Sequence, residues 1–152
     1  MRVKQLKISS FRGIGNLTLD FSPDEPTVFI GNNGVGKSSI LDSLAILLSW
    51  LIARIEFDPE SRGTIFQIEH FGREVFRKGE LANGRYFTKT DIKNGSDKIR
   101  QEITLLLDSK EINWYLTTNN ESNNTNTKCE LGILEEVTQK LRNQWQNDTK
   151  AN

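Results

Sequence analysis

The sequence predicts an α/β fold in which a short strand runs through a glycine-rich loop into a long helix, with an antiparallel β layer alongside. Three observations predict it. Gly31-Asn32-Asn33-Gly34-Val35-Gly36-Lys37-Ser38 completes the pattern G-x-x-x-x-G-K-[ST]. The β-branched and aromatic run Thr27-Val28-Phe29-Ile30 stands directly before it, and residues 37–55 follow it with helix-favouring side chains and no Gly or Pro. Further on, two apolar, β-prone runs separated by a polar break have the form of a hairpin.

Taken in order, Val3 to Ile8 alternates apolar and polar residues, which predicts a strand with one face exposed. Phe11-Arg12-Gly13 turns the chain, and Leu17 to Phe21 alternates again until Pro23 and Pro26 break the pattern. Thr27 to Ile30 is expected as a buried strand ending at Gly31. In the helix that follows, Ile40, Leu44, Leu47, Leu51 and their apolar neighbours point in nearly every direction, so it is expected to be buried on most sides between sheets, with Trp50 in the core or at a lobe-edge contact. Asp42, Ser43, Ser49 and Arg54 interrupt the run and argue against a membrane span.

Beyond Ile55 the periodicity loosens. Asp58 to Gly63 has turn composition, and the stretch to Gly84 is irregular, with a short strand or helix expected near 65–76. A strand is expected near Arg85 to Thr88, then a hairpin made by Ile99–Asp108 and Ile112–Thr117 around Asp108-Ser109-Lys110-Glu111. Thr117 to Lys128 is rich in Asn, Thr and Ser and is expected as a polar loop. Leu131, Leu134, Val137, Leu141 and Trp145 recur at three or four residues, predicting a one-faced helix over about 130–147.

The glycine loop carries the chemistry. Glycines let successive backbone N–H groups curl around an anionic phosphate chain at the start of a helix. Lys37 can then reach the β- and γ-phosphates, the Ser38 hydroxyl can ligate Mg²⁺, and Ser39 can donate to the α-phosphate. The expected ligands are therefore ATP and Mg²⁺, held at Gly34, Val35, Gly36, Lys37, Ser38 and Ser39.

The short N-terminal strand, the Ser-Phe-Arg-Gly turn, the second strand and the run F-I-G-N-N-G-V-G-K-S-S-I-L-D together resemble the N-terminal lobe of SMC and RecF-type ATP-binding-cassette proteins. The resemblance is close from Met1 to about Ile55 and loose beyond. It implies that residues 1–152 form the N-terminal lobe of an ATPase head, that Arg12 approaches the nucleotide phosphates, and that Asn33 sits beside the γ-phosphate. It also implies head dimerisation driven by ATP, as a homodimer or higher homo-oligomer. Within that group, Ser38 to Trp50 followed by Asp91-Ile92-Lys93-Asn94-Gly95 resembles the PtuA-type ATPases of Septu and retron anti-phage systems, which pair with an HNH nuclease.

Residues 103–108, Ile-Thr-Leu-Leu-Leu-Asp, imitate the strand whose carboxylate completes a magnesium shell, but Ser109 follows where a water-polarising glutamate belongs. Asp108 is therefore expected in a hairpin turn. No S-G-G signature occurs in residues 1–152, so the catalytic residues of the head are not identified here. Two other readings stand beside an ATPase: a small P-loop kinase, for which Arg62, Arg73, Arg77 and Arg85 are too dispersed to form a lid, and a non-catalytic nucleotide-sensing module. A GTPase would show N-K-x-D, which is missing.

Composition limits the rest. With 36% hydrophobic and 26% charged residues, the 152-residue chain can bury a core of its own. Twenty basic residues against twenty acidic ones give no overall attraction to nucleic acid, so such a partner rests on the resemblance alone. The lone Cys129 excludes an intrachain disulfide, His70 as the only histidine excludes a two-histidine metal site, and a charged strand after Met1 is unlike a signal peptide. A cytoplasmic protein is expected.

Overall fold

The computed structural model describes residues 1–22, 24–56, 84–119, 126–129, 134, 137–141 and 143. Strand β1 runs Arg2–Phe11, β2 Ile14–Asp20, helix α1 Lys37–Glu56, β3 Lys98–Leu107, β4 Lys110–Asn119 and β5 Asn126–Cys129, with a single 3₁₀ turn at Lys89–Asp91. The strands form one antiparallel sheet in the order β2-β1-β3-β4-β5. Alternation sets its faces. Leu6 lies opposite Leu19 on one side and Ile103 on the other, and Ile103 lies opposite Trp114, which lines up one apolar face across four strands.

Helix α1 lies on that face, against β1 and β3. Ile46, Leu47, Trp50 and Leu51 are its buried apolar residues at helical spacing, and they meet Leu6, Ile8, Ile103, Leu105 and Trp114 in one core. The Trp114 indole N–H reaches across to the Leu47 carbonyl at 3.2 Å, which ties β4 to the helix. The opposite face of the sheet is polar. There Gln5 donates to Asp20, Lys7 to Glu102 and Ser9 to Asn16, while the Arg100 guanidinium stacks 3.7 Å from the Tyr115 ring centroid.

Several sequence expectations are met: both N-terminal strands, the turn at Arg12-Gly13, the long helix, Trp50 in the core and the 98–119 hairpin. Others are corrected. Residues 27–30 form no strand; Val28 is 72% and Ile30 91% exposed. An apolar run becomes a strand only where a neighbour accepts its backbone hydrogen bonds, and none of the described strands adjoins this one.

For the same reason α1 is covered on one side instead of on most sides, leaving Leu41 and Ile52 exposed. By length and composition Lys37–Ile55 could cross a membrane, but its buried stripe lies against the sheet. The strand expected at 85–88 is also missing, because side chains of α1 take its backbone groups. The Arg85 N–H donates to Ser49 Oγ at 2.7 Å and its carbonyl accepts the Trp50 indole N–H at 3.0 Å.

The polar loop expected at 117–128 is shorter than its composition suggests. Thr117 to Asn119 extend β4 and Asn126–Cys129 forms β5, with Thr118 opposite Thr127, so β-branched threonines override the polarity of the segment. Of the C-terminal apolar stripe, Leu134 and Val137 are helical and buried and Leu141 packs beside them. Leu131, Trp145, Pro23, His70 and the expectations over residues 58–76 lie outside the described residues.

Candidate functional site

The loop at 31–36 has the backbone its glycines permit. Gly34 has φ +85° and Gly36 +99°, both in the left-handed region where a side chain would be strained. Helix α1 begins immediately afterwards, with the Ile40 N–H donating to the Gly36 carbonyl at 3.1 Å. Its first turn holds no acidic residue, so nothing offsets the positive end of the helix dipole or competes for the free N–H groups. Lys37 Nζ donates to the carbonyls of Gly31 and Asn32, both at 2.7 Å, which arches the ammonium back over the loop. Asn33, Val35 and Ser38 are exposed, and Ser39 is half-buried. The loop thus combines two left-handed glycines, a helix start and one cation, a set of features that suits a phosphate chain.

The turn between β1 and β2 abuts the loop: a Cβ on Gly36 would stand 3.6 Å from the Ile14 side chain. Arg12 projects from that turn with φ +50°. It is partly exposed but not free. Its N–H donates to the Asp91 carbonyl at 2.7 Å, its Nε to Asp91 Oδ1 at 3.0 Å, and a terminal nitrogen to Asp42 Oδ2 on α1. Asp91 in turn accepts the Thr88 N–H and hydroxyl on Oδ2, at 2.9 and 2.8 Å, so its two oxygens serve different partners. Burial alone would push the Asp91 carboxyl up, but the Thr88 hydrogen bonds and the Arg12 charge outweigh it and hold the group below the usual carboxylate range.

Two further bonds fix the geometry. Lys93 N–H donates to the Ser10 carbonyl at 3.0 Å and Ile92 bridges Phe11, so the 88–93 segment is laced to the end of β1. Sequence reasoning missed Asp42, Thr88 and Asp91 as partners of Arg12. The signal available was Thr88-Lys89-Thr90-Asp91, a T-x-x-D spacing of the capping-box kind. Asp108 stands at the β3–β4 turn as expected, within 3.3 Å of Lys140 and remote in sequence and structure from the loop. Among the described residues no group of His, Cys, Asp and Glu is arranged to hold a metal ion by itself.

A family model described as an AAA ATPase domain matches residues 1–152, the whole chain. The chain belongs to that family. Relatives of this ATPase domain include the "Retron Ec83 probable ATPase" of Escherichia coli, 38% identical over 56 residues, which cover 36% of this chain and 10% of that protein. The DNA replication and repair protein RecF of Rhodococcus erythropolis is 40% identical over 58 residues, covering 38% of this chain and 14% of RecF.

RecF of Leptospira interrogans is 29% identical over 127 residues, covering 70% of this chain and 33% of its own length. The ATPase domain therefore spans between a tenth and a third of these relatives. A solved SMC ATPase structure aligns over 91% of this chain and 78% of its own with a TM-score of 0.47 and 12% identity, a level that carries no weight beside the family match. The domain is a P-loop ATPase domain of this family with an antiparallel β layer, and it shares its stretches of identity with RecF and retron ATPases.

Proposed function

We propose that residues 1–152 are the nucleotide-cradling lobe of an ATPase head in which Mg·ATP drives association of two heads and hydrolysis releases them. One observation carries the reading: a complete glycine loop with Gly34 and Gly36 at positive φ, opening onto the acid-free first turn of α1 with Lys37 over its mouth. Gly34, Val35 and Gly36 supply backbone donors, Lys37 the charge at the β- and γ-phosphates, Ser38 the Mg²⁺ ligand and Ser39 a contact to the α-phosphate. Arg12 and Asn33 flank the phosphates. When bound, Mg²⁺ neutralises charge building on the phosphate oxygens during transfer.

Hydrolysis needs more than this cradle. It depends on a positioned water and on electrostatic stabilisation of the γ-phosphate, and residues 1–152 contain no S-G-G signature segment, while Ser109 follows Asp108 where a water-polarising glutamate belongs. We therefore assign turnover to the complete gene product acting as a dimer or higher oligomer in the cytoplasm. The resemblance to PtuA-type ATPases favours a role in anti-phage defence alongside an HNH nuclease, and the relatives named for DNA replication and repair favour DNA maintenance with nucleic acid as a partner.

Phosphate release tests the reading directly. The complete gene product should turn over ATP, its Lys37→Ala variant should lose at least about a hundredfold of that activity, and purified residues 1–152 should show none. Sustained release from residues 1–152 that disappears with Lys37→Ala would mean that the active site is already complete in this lobe.

A further inference from the structure

Arg12 is one cation shared between two carboxylates of unlike character. Asp91 is buried, its side chain 4% exposed, and it grips Nε, the inner nitrogen, while Thr88 saturates its other oxygen. Asp42 is 40% exposed, stands on α1 five residues past Lys37, and takes a terminal nitrogen of the same guanidinium. The inner contact is shielded from water and backed by the lacing of 88–93 to β1. The outer contact is the more exposed of the two, where a pair of this kind is weak and easily exchanged, and the turn that carries Arg12 meets the glycine loop at Ile14.

We propose that the two carboxylates act on Arg12 in opposite senses: Asp91 anchors it for contact with the nucleotide phosphates, and Asp42 competes with those phosphates for its outer nitrogens. This rests on the nucleotide reading above. A guanidinium has five N–H donors in a rigid plane, so Nε can stay on Asp91 while the terminal nitrogens change partner from Asp42 to a phosphate oxygen. Asp91 is thus a positioning residue, and Asp42 sets how readily the arginine is surrendered to the nucleotide. A purely structural network would predict the same sign for loss of either carboxylate. This arrangement predicts opposite signs.

Calorimetric titration of Mg·ATP into the complete gene product separates the two. Asp42→Asn should tighten binding about threefold, and Asp91→Asn should weaken it about tenfold, the size expected for one charge-assisted hydrogen bond gained or lost. Both effects should vanish in an Arg12→Ala background. Thr88→Val, which strips one donor from Asp91 and keeps the side-chain volume, should weaken binding in the same direction as Asp91→Asn and serves if that variant folds poorly. Changes of the same sign, no change, or changes that persist without Arg12 would overturn the proposal. Lys37→Ala in the same series separates the levels: if it abolishes binding while the aspartate variants are silent, only this inference fails, and if it leaves affinity unchanged, the nucleotide site itself is misassigned.

Discussion

Gln101 sits on the apolar face of β3, fully buried between Ile8 and Leu116, and neither its amide oxygen nor its amide nitrogen has a hydrogen-bond partner. A buried amide left unpaired costs on the order of 1–3 kcal/mol. Gln101→Leu, which keeps the volume and removes the polar atoms, should therefore raise stability by about 1–2 kcal/mol in urea denaturation. A loss of stability would mean that the amide has a partner in solution. The period-two spacing of Ile99, Gln101 and Ile103 already puts Gln101 on the apolar face of a predicted strand, but sequence cannot show that no neighbour on that face offers its amide a partner. Arg12 shows the same limit. The resemblance implies a role for it at the phosphates, but its two carboxylates lie 30 and 79 residues away in the chain, and only folding brings them together.

At the scale of elements, local chemistry was legible wherever a segment's partner is its own neighbour in sequence. The β3–β4 hairpin is the clearest case: polar residues between two apolar alternations predicted a turn of four, and the structure tightens it to Asp108-Ser109, with φ +47° and +67°. Positive φ at both central positions is the geometry whose twist matches paired strands, and glycine is favoured at its second position. Ser109→Gly should relieve the left-handed strain and raise the midpoint of thermal unfolding, by a net gain of about 0.5–1 kcal/mol after the added freedom of the unfolded chain is subtracted. A lower midpoint in a melting curve would contradict the assigned turn. The strand expected at 27–30 shows the opposite situation, since its hydrogen-bond partners are supplied by no described neighbour.

Across the whole molecule, the sheet and α1 form one core, while Val28 and Ile30 before the loop, Val35 within it, and Leu41 and Ile52 on α1 stay exposed. The relatives are three to ten times as long as the stretches they share with this chain. The sequence announced the apolar residues and their spacing but could not say which of two helix faces meets the sheet. That choice is made by Trp114 and Ile103 reaching the Leu47 side of α1.

The account as a whole stands on the glycine loop being a phosphate cradle, and a calorimetric titration of Mg·ATP into the complete gene product and its Lys37→Ala variant tests it most directly. Removing the ammonium should weaken binding by at least about tenfold, the worth of one charge-assisted contact to phosphate, with the melting temperature unchanged. Equal affinity in the two proteins would contradict the account.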